Sequence, residues 1–178
     1  MLIKTILSGF GGQGVLFMGY AMATTAMKEG YHTTYLPSYG AEVRGGTANC
    51  TVAVSDEEIA SPVASEPDFV MVLNNPSMLR FQSHLMSDGT LFVNSDMVDI
   101  EPVRGDITLV KTPGLSIATE LENPKGMNVV MLGAFLKHTK LFEYETMEAV
   151  ISEIFSKRNE KAIEPNLKCL QAGYDCTD

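Results

Sequence analysis

Four glycines in six positions, within Leu7-Ser8-Gly9-Phe10-Gly11-Gly12-Gln13-Gly14-Val15, are the residues whose spacing most directly suggests chemistry. An apolar, β-branched run at residues 3–7 leads into them and a helical apolar pattern follows, so a strand, a glycine turn and a helix start succeed one another. Backbone N–H groups at the positive end of the helix dipole then face whatever lies above the turn, an arrangement that accepts phosphate or another anion. The spacing Gly9-x-Gly11-x-x-Gly14 meets the dinucleotide fingerprint. That fingerprint also asks for an acidic residue about 20 positions on, where it holds a ribose hydroxyl. The corresponding stretch, His32-Thr33-Thr34-Tyr35-Leu36-Pro37, has none. The turn therefore points less to a nicotinamide or flavin dinucleotide than to another phosphate-bearing ligand, or to close helix-on-sheet packing through Gly12 and Gly14 alone.

A second special loop follows at Ser38-Tyr39-Gly40-Ala41-Glu42-Val43-Arg44-Gly45-Gly46. An arginine set among glycines can present its fork to a phosphate or carboxylate, with Glu42 orienting it or accepting from a hydroxyl. The alternative is an ion pair, within the chain or between subunits, that fixes the loop. The three histidines, His32, His84 and His138, occupy unrelated places and read as surface or helix-end residues. Cys50, Cys169 and Cys176 contain no C-x-x-C and cannot assemble a zinc or iron–sulfur site, so reduced thiols are expected. With no Cys–His pair, no Ser–His–Asp set and no metal-ligand cluster, the chain offers a binding edge rather than a complete catalytic site.

The elements that must position these loops can be read from periodicity. A helix is expected over residues 12–29, with Lys28-Glu29-Gly30 as its basic last turn and stop, then a strand over 31–36 ending at Pro37. Residues 47–55 alternate at period two and follow after a loop too short for a helical crossover. The two strands should be antiparallel and the sheet mixed, and the more polar face of the second means it need not be central. Residues 56–67 read as an exposed connection. Apolar strands are expected at 69–73, 90–94 and 107–111, with a helix capped by Asn75, with Pro76 in its first turn, running until Asp88-Gly89. A short helix covers 115–121. Residues 127–136 are apolar nearly all round with Gly133 inside, which marks a buried helix crossing close to another backbone or a partner. Met147, Val150, Ile151, Ile154 and Phe155 form an amphipathic stripe, and a last helix begins near Pro165. The alternation predicts one α/β domain over residues 1–178, a three-layer Rossmann-like fold with a mostly parallel, mixed sheet. The carboxyl ends of its strands, at 9–14, 38–46, 74–75, 94–96 and 112–114, should share one rim, where ligands of open α/β sheets lie.

The 178 residues, 45% hydrophobic and 20% charged, suit one soluble domain. A net charge of −9, with the basic residues dispersed, argues against nucleic acid as a partner. No apolar run is long enough for a membrane span and the start does not read as a secretory signal, so a cytoplasmic location is expected.

Taken together, the glycine turn and the loop continuing Gly45-Gly46-Thr47-Ala48-Asn49-Cys50 resemble the gamma subunit of the 2-oxoacid:ferredoxin oxidoreductases. Leu73-Asn74-Asn75-Pro76 and residues 128–134, ending Leu132-Gly133-Ala134, extend the resemblance over nearly the whole chain. The form around Arg44 looks closest to the 2-oxoglutarate or branched-chain oxoacid members. The resemblance implies a subunit of an assembly that decarboxylates a 2-oxoacid oxidatively with coenzyme A, giving acyl-coenzyme A, carbon dioxide and reduced ferredoxin. It places thiamine diphosphate on the alpha and beta subunits and iron–sulfur clusters on beta or delta. In agreement, this sequence lacks a Gly-Asp-Gly thiamine motif. The gamma chain would then shape the coenzyme A side of the assembly through Gly9, Gly11, Gly12, Gln13, Gly14, Glu42, Arg44, Gly45 and Gly46, with no catalytic residue or metal ligand of its own. Three alternatives stay open: a stand-alone nucleotide-binding redox protein, the small subunit of an indolepyruvate oxidoreductase, and a purely structural adaptor; among partners, a homodimer of the isolated chain also stays open.

Overall fold

The computed structural model describes residues 1–39 and 46–176. In chain order its elements are β1 (Leu2–Phe10), α1 (Val15–Lys28), β2 (His32–Tyr39), β3 (Thr47–Ser55), β4 (Phe69–Val72), α2 (Asn75–Phe81), β5 (Thr90–Asn94), β6 (Thr108–Thr112), α3 (Gly114–Glu120), α4 (Met127–Thr139), α5 (Tyr144–Ser156) and α6 (Ile163–Asp175). Short 3-10 turns, Pro124–Gly126 and Glu160–Ala162, lead into α4 and α6. Six strands form one sheet in the order β2-β3-β1-β4-β5-β6. Strands β1, β4, β5 and β6 run parallel, while β3 is antiparallel to both β1 and β2. The mixed, mostly parallel α/β sheet anticipated from the alternation is the one observed.

The β2–β3 hairpin holds the register Tyr35↔Val52 and Ser38↔Asn49. Its second strand lies inside the sheet, between β2 and β1. One face explains this position: Cys50, Val52 and Val54 enter the large core, while Asn49 and Thr51 stay half-buried on the other side. Strand β2 continues through Pro37 instead of stopping there. As the outermost strand it has a neighbour on one side only, and an edge can lose one ladder donor.

Two unequal cores cover the sheet. The larger gathers Leu7, Met71 and Phe92 of the strands against α1, α4, α5 and α6. The smaller packs Ile6, Val70, Val72, Leu91 and Val93 against Met78, Phe81 and Leu85. Within the first, α4 is buried at every position from Met127 to Leu136, as its all-round apolar sequence requires. It crosses α6 backbone to backbone. A Cβ at Gly133 would fall on the carbonyl oxygen of Leu170, and one at Gly173 on that of Val130. Gly133 marks this contact in the sequence; its counterpart Gly173 sits in a helix of modest hydropathy and gave no such sign.

Helix α2 differs from the sequence reading at both ends. Asn74, not Asn75, is the cap: its side chain accepts from Ser77 N at 2.9 Å, and Pro76 falls in the first turn. Asn75 instead pairs with Asp99, donating through Nδ2 at 2.6 Å and accepting from its amide at 3.1 Å. The helix ends at Phe81, well before Asp88. Beyond that point Arg104 takes the Leu85 carbonyl and lies 3.5 Å from that of Gln82, carbonyls that a continued helix would use itself, while Val103 N donates to the Gln82 side chain at 2.9 Å.

Gly133→Val or Gly173→Val is expected to cost about 3 kcal/mol or more, because backbone rather than a mobile side chain must yield. Gly105→Ala, with nothing within 4 Å of its Cβ position, should stay within about 0.5 kcal/mol. Chemical denaturation of the three variants measures the difference.

Glu153 joins α5 to α1 by accepting at 2.7 Å from both Lys157 and Lys28, and those hydrogen bonds pull its pKa down to about 2. A folded-state pKa below the unfolded one stabilises above the unfolded value and loses that contribution as pH falls through the folded one. The small benefit of this exposed tie should therefore disappear between about pH 4.5 and 2. Thermal unfolding of the protein and of Glu153→Gln should converge across that window.

Candidate functional site

Strand β1 is paired on both sides, by β3 and β4, and must turn from its last residue, Phe10, into α1 within four positions. Gly12 and Gly14 make that possible by adopting φ values of 99° and 79°, in the left-handed region that L side chains rarely enter. Gly14 is also the N-cap of α1, with no side-chain cap, and its carbonyl accepts the first helical bond from Met18 N at 3.0 Å. A Cβ on Gly14 would overlap the carboxamide of Asn128 at the start of α4. One on Gly9 would lie 2.6 Å from Gln13 Oε1 and 3.1 Å from Leu73 Cβ. The first and third glycines of the fingerprint are thus packed against this chain's own side chains, while no described residue lies within 4 Å of the Cβ position of Gly12.

Several of the turn's amides have partners within the protein. Gly11 N donates to Gly46 O at 3.0 Å, which ties the turn to the approach of β3, and Gln13 N donates to Phe10 O at 3.1 Å. Phe10 N donates to the side-chain oxygen of Gln13 at 2.6 Å. That same oxygen accepts from Asn74 Nδ2 at 3.2 Å, while Gln13 Nε2 lies 3.3 Å from both Leu73 O and Met97 Sδ. The carboxamide of Gln13 therefore turns back under the loop, toward the ends of β4 and β5.

The other strand ends join the same rim. Buried Asn94 accepts from Gly114 N at 3.2 Å through Oδ1 and points Nδ2 at Met127 Sδ, 3.0 Å away. Asp96 receives Ser116 N and Ser116 Oγ, both at 2.7 Å, at the start of α3. Asn128 is 8% exposed and its Nδ2 approaches Gly14 O at 3.5 Å. Residues 9–14, 74, 94–97, 112–114 and Gly46 are brought together as the sheet topology requires. Glu42, Arg44 and Gly45 lie outside the described residues. Asn74 and Asn94 belong to the strand ends expected to share this rim; Asn128 does not, and its signal in the sequence is an amide inside the apolar run at residues 127–136.

Between the glycine turn, the first turn of α1 and the start of β3 lies an open cavity of about 560 Å³, lined by Phe10, Val15, Leu16, Phe17, Thr47 and Ala48 with the backbone of Gly11, Gly12, Gly14 and Gly46. Its described walls carry no charged side chain, and the uncapped start of a 14-residue helix opens beside them. Such a cavity suits a mostly apolar group with an acceptor or anionic end. The nearby thiol is not reactive: burial pushes Cys50 up to about 12, only partly opposed by the Gly19 amide, so it stays protonated at neutral pH. Among the described residues, no group of three His, Cys, Asp or Glu could hold a metal ion.

Comparison with known proteins extends the match to the ends of the chain. Residues 4–176 match the family described as pyruvate ferredoxin/flavodoxin oxidoreductase. The ketoisovalerate oxidoreductase subunit VorA of Methanothermobacter thermautotrophicus is 37% identical over 175 residues, covering 97% of this chain; this chain spans 36% of that relative's length. The 2-oxoglutarate synthase subunit KorC of Methanocaldococcus jannaschii is 33% identical over 172 residues, covering 95% of this chain and 90% of its own. In three dimensions, the keto/oxoacid ferredoxin oxidoreductase gamma subunit from Geobacter sulfurreducens PCA superposes with a TM-score of 0.83 at 27% identity, over 97% of this chain and 96% of that one. Since the matched span takes in the glycine turn, both cores and the α4–α6 crossing, the chain belongs to the pyruvate ferredoxin/flavodoxin oxidoreductase family.

Proposed function

We propose that this chain is the gamma-type subunit of a cytoplasmic 2-oxoacid:ferredoxin oxidoreductase, an assembly that converts a 2-oxoacid and coenzyme A to acyl-coenzyme A and carbon dioxide while reducing ferredoxin. The observation that carries the reading is the near full-length match to KorC, a protein of similar extent that is itself named as one subunit of a synthase. Thiamine diphosphate and the iron–sulfur clusters are assigned to alpha, beta or delta partners. No helix among the described residues is long and apolar enough to cross a membrane, in keeping with a soluble assembly.

The rim is assigned to the coenzyme A side of the complex. Coenzyme A supplies the thiol that takes over the acyl group. The cavity beside α1 fits part of such a molecule: apolar walls at Val15, Leu16 and Phe17 suit its flexible arm, and amides at the helix start suit an acceptor or phosphate oxygen. Gly12 and Gly14 give backbone access, and Arg44 on the adjoining loop would bring the guanidinium that the described walls lack. A dinucleotide is the weaker reading. Residues 32–37, in the second strand, offer no carboxylate to hold a ribose hydroxyl, which the dinucleotide fingerprint asks for and the flexible arm of coenzyme A does not.

Co-expression with thiamine-binding and ferredoxin-like partner subunits from the same organism should yield one complex with coenzyme A-dependent oxoacid oxidation. The isolated chain should show no turnover and no saturable micromolar binding of NADH by fluorescence. Turnover or a redox centre on the isolated chain would overturn the proposal. In the complex, Arg44→Ala should raise the KM for coenzyme A about tenfold with assembly intact, the order of one lost charge-assisted hydrogen bond. An unchanged KM would remove Arg44 from the site.

A further inference from the structure

We propose that Gln13 is a positioning residue: its carboxamide keys three rim loops together and thereby aims the first turn of α1. For the kinetic part, the inference rests on the functional reading above. Its geometric part does not.

One side chain reaches all three loops. Gln13 Oε1 accepts from Phe10 N at 2.6 Å within the glycine turn and from Asn74 Nδ2 at 3.2 Å after β4. Its Nε2 faces Leu73 O at 3.3 Å and Met97 Sδ, also 3.3 Å away, after β5. Asn74 is 2% exposed and caps α2, so the anchor that Gln13 grips is held in turn. The glycine turn leaves no slack around this arrangement, since a Cβ on Gly9 would lie 2.6 Å from Gln13 Oε1. Between Gly12 and Gly14, both at positive φ, the backbone has little intrinsic preference for one direction of exit. A side chain fixed at the intervening residue supplies that direction. Because α1 starts at the next position after Gly14 and has no side-chain cap among the described residues, the orientation of its first-turn amides follows from where Gln13 is held.

The two halves of the carboxamide can be separated. In Gln13→Ala both are lost. In Gln13→Glu a carboxylate oxygen can still accept from Phe10 N, whereas the donor to Leu73 O is replaced by a second acceptor that is repelled by that carbonyl. Amide hydrogen exchange on the full chain reads the consequence directly. Gln13→Ala should speed exchange about tenfold or more in both the 10–17 and 94–98 segments, while α4 to α6 remain at wild-type rates. Gln13→Glu should leave Phe10 slow and loosen the 94–98 segment. In the assembled complex, Gln13→Ala should raise the KM for coenzyme A about tenfold with kcat changed far less, and Gln13→Glu should recover part of that loss.

Exchange that rises only at residues 10–14, or equally throughout the chain, overturns the keying role, and an unchanged KM in a competent complex overturns its kinetic consequence. If the wild-type complex itself shows no dependence on coenzyme A while the exchange pattern holds, the functional reading fails and the geometric role of Gln13 stands.

Discussion

The structure depends on one constraint: a central strand, hydrogen-bonded on both sides, must hand the chain to a helix within four residues. Side chains have no place in that space. Gly9 meets Gln13 and Leu73, Gly14 meets Asn128, and Gly12 and Gly14 need backbone conformations that other residues rarely adopt. The turn is consequently specified by steric exclusion and by backbone conformation, and its polar groups are met by its own Gln13 carboxamide at Phe10 N, by Gly46 O at Gly11 N and by Asn128 at Gly14 O. Gln13, Asn74 and Asn128 are neutral, so the glycine turn gains fixed geometry without adding a charge to the described walls of the cavity.

That rim is supported unequally from the two faces of the sheet. On one face α4 is buried along ten consecutive residues and touches α6 through backbone at Gly133 and Gly173. Phe92 and Phe135, with ring centroids 5.3 Å apart, close the layer between helix and sheet. A contact of this kind holds the start of α4, and with it Asn128, at a set distance from the glycine turn. On the opposite face α2 is short, and its continuation is given up to contacts with the 103–104 segment. The rigid side of the molecule is therefore the one that carries α1, whose first turn lines the cavity.

Much of this was legible locally. The alternation over residues 47–55 matches β3 at both ends, the glycine turn stands between its strand and helix, and Gly133 announces a close crossing. Features defined by a distant partner were not. Asn74 and Asn75 are equally good caps on paper, and Asp99 and Gln13 decide between them. The end of α2 depends on Val103 and Arg104, some twenty residues on. Gly173 lies in a helix whose pattern suggests solvent, and its closeness to Val130 exists only after two helices have docked. Gln13 reads as an exposed member of a ligand loop because its neighbours are glycines; that its side chain turns inward follows from Leu73 and Asn74, sixty residues away.

The described ladder of β2 and β3 reaches the glycine turn, with Ser38↔Asn49 and Tyr39↔Ala48 as its last pairs and Gly46 bonded to Gly11. A displacement of β3 is therefore passed through Gly46 to Gly11 and on to the start of α1, so the two outer strands and the mouth of the cavity shift together rather than one at a time.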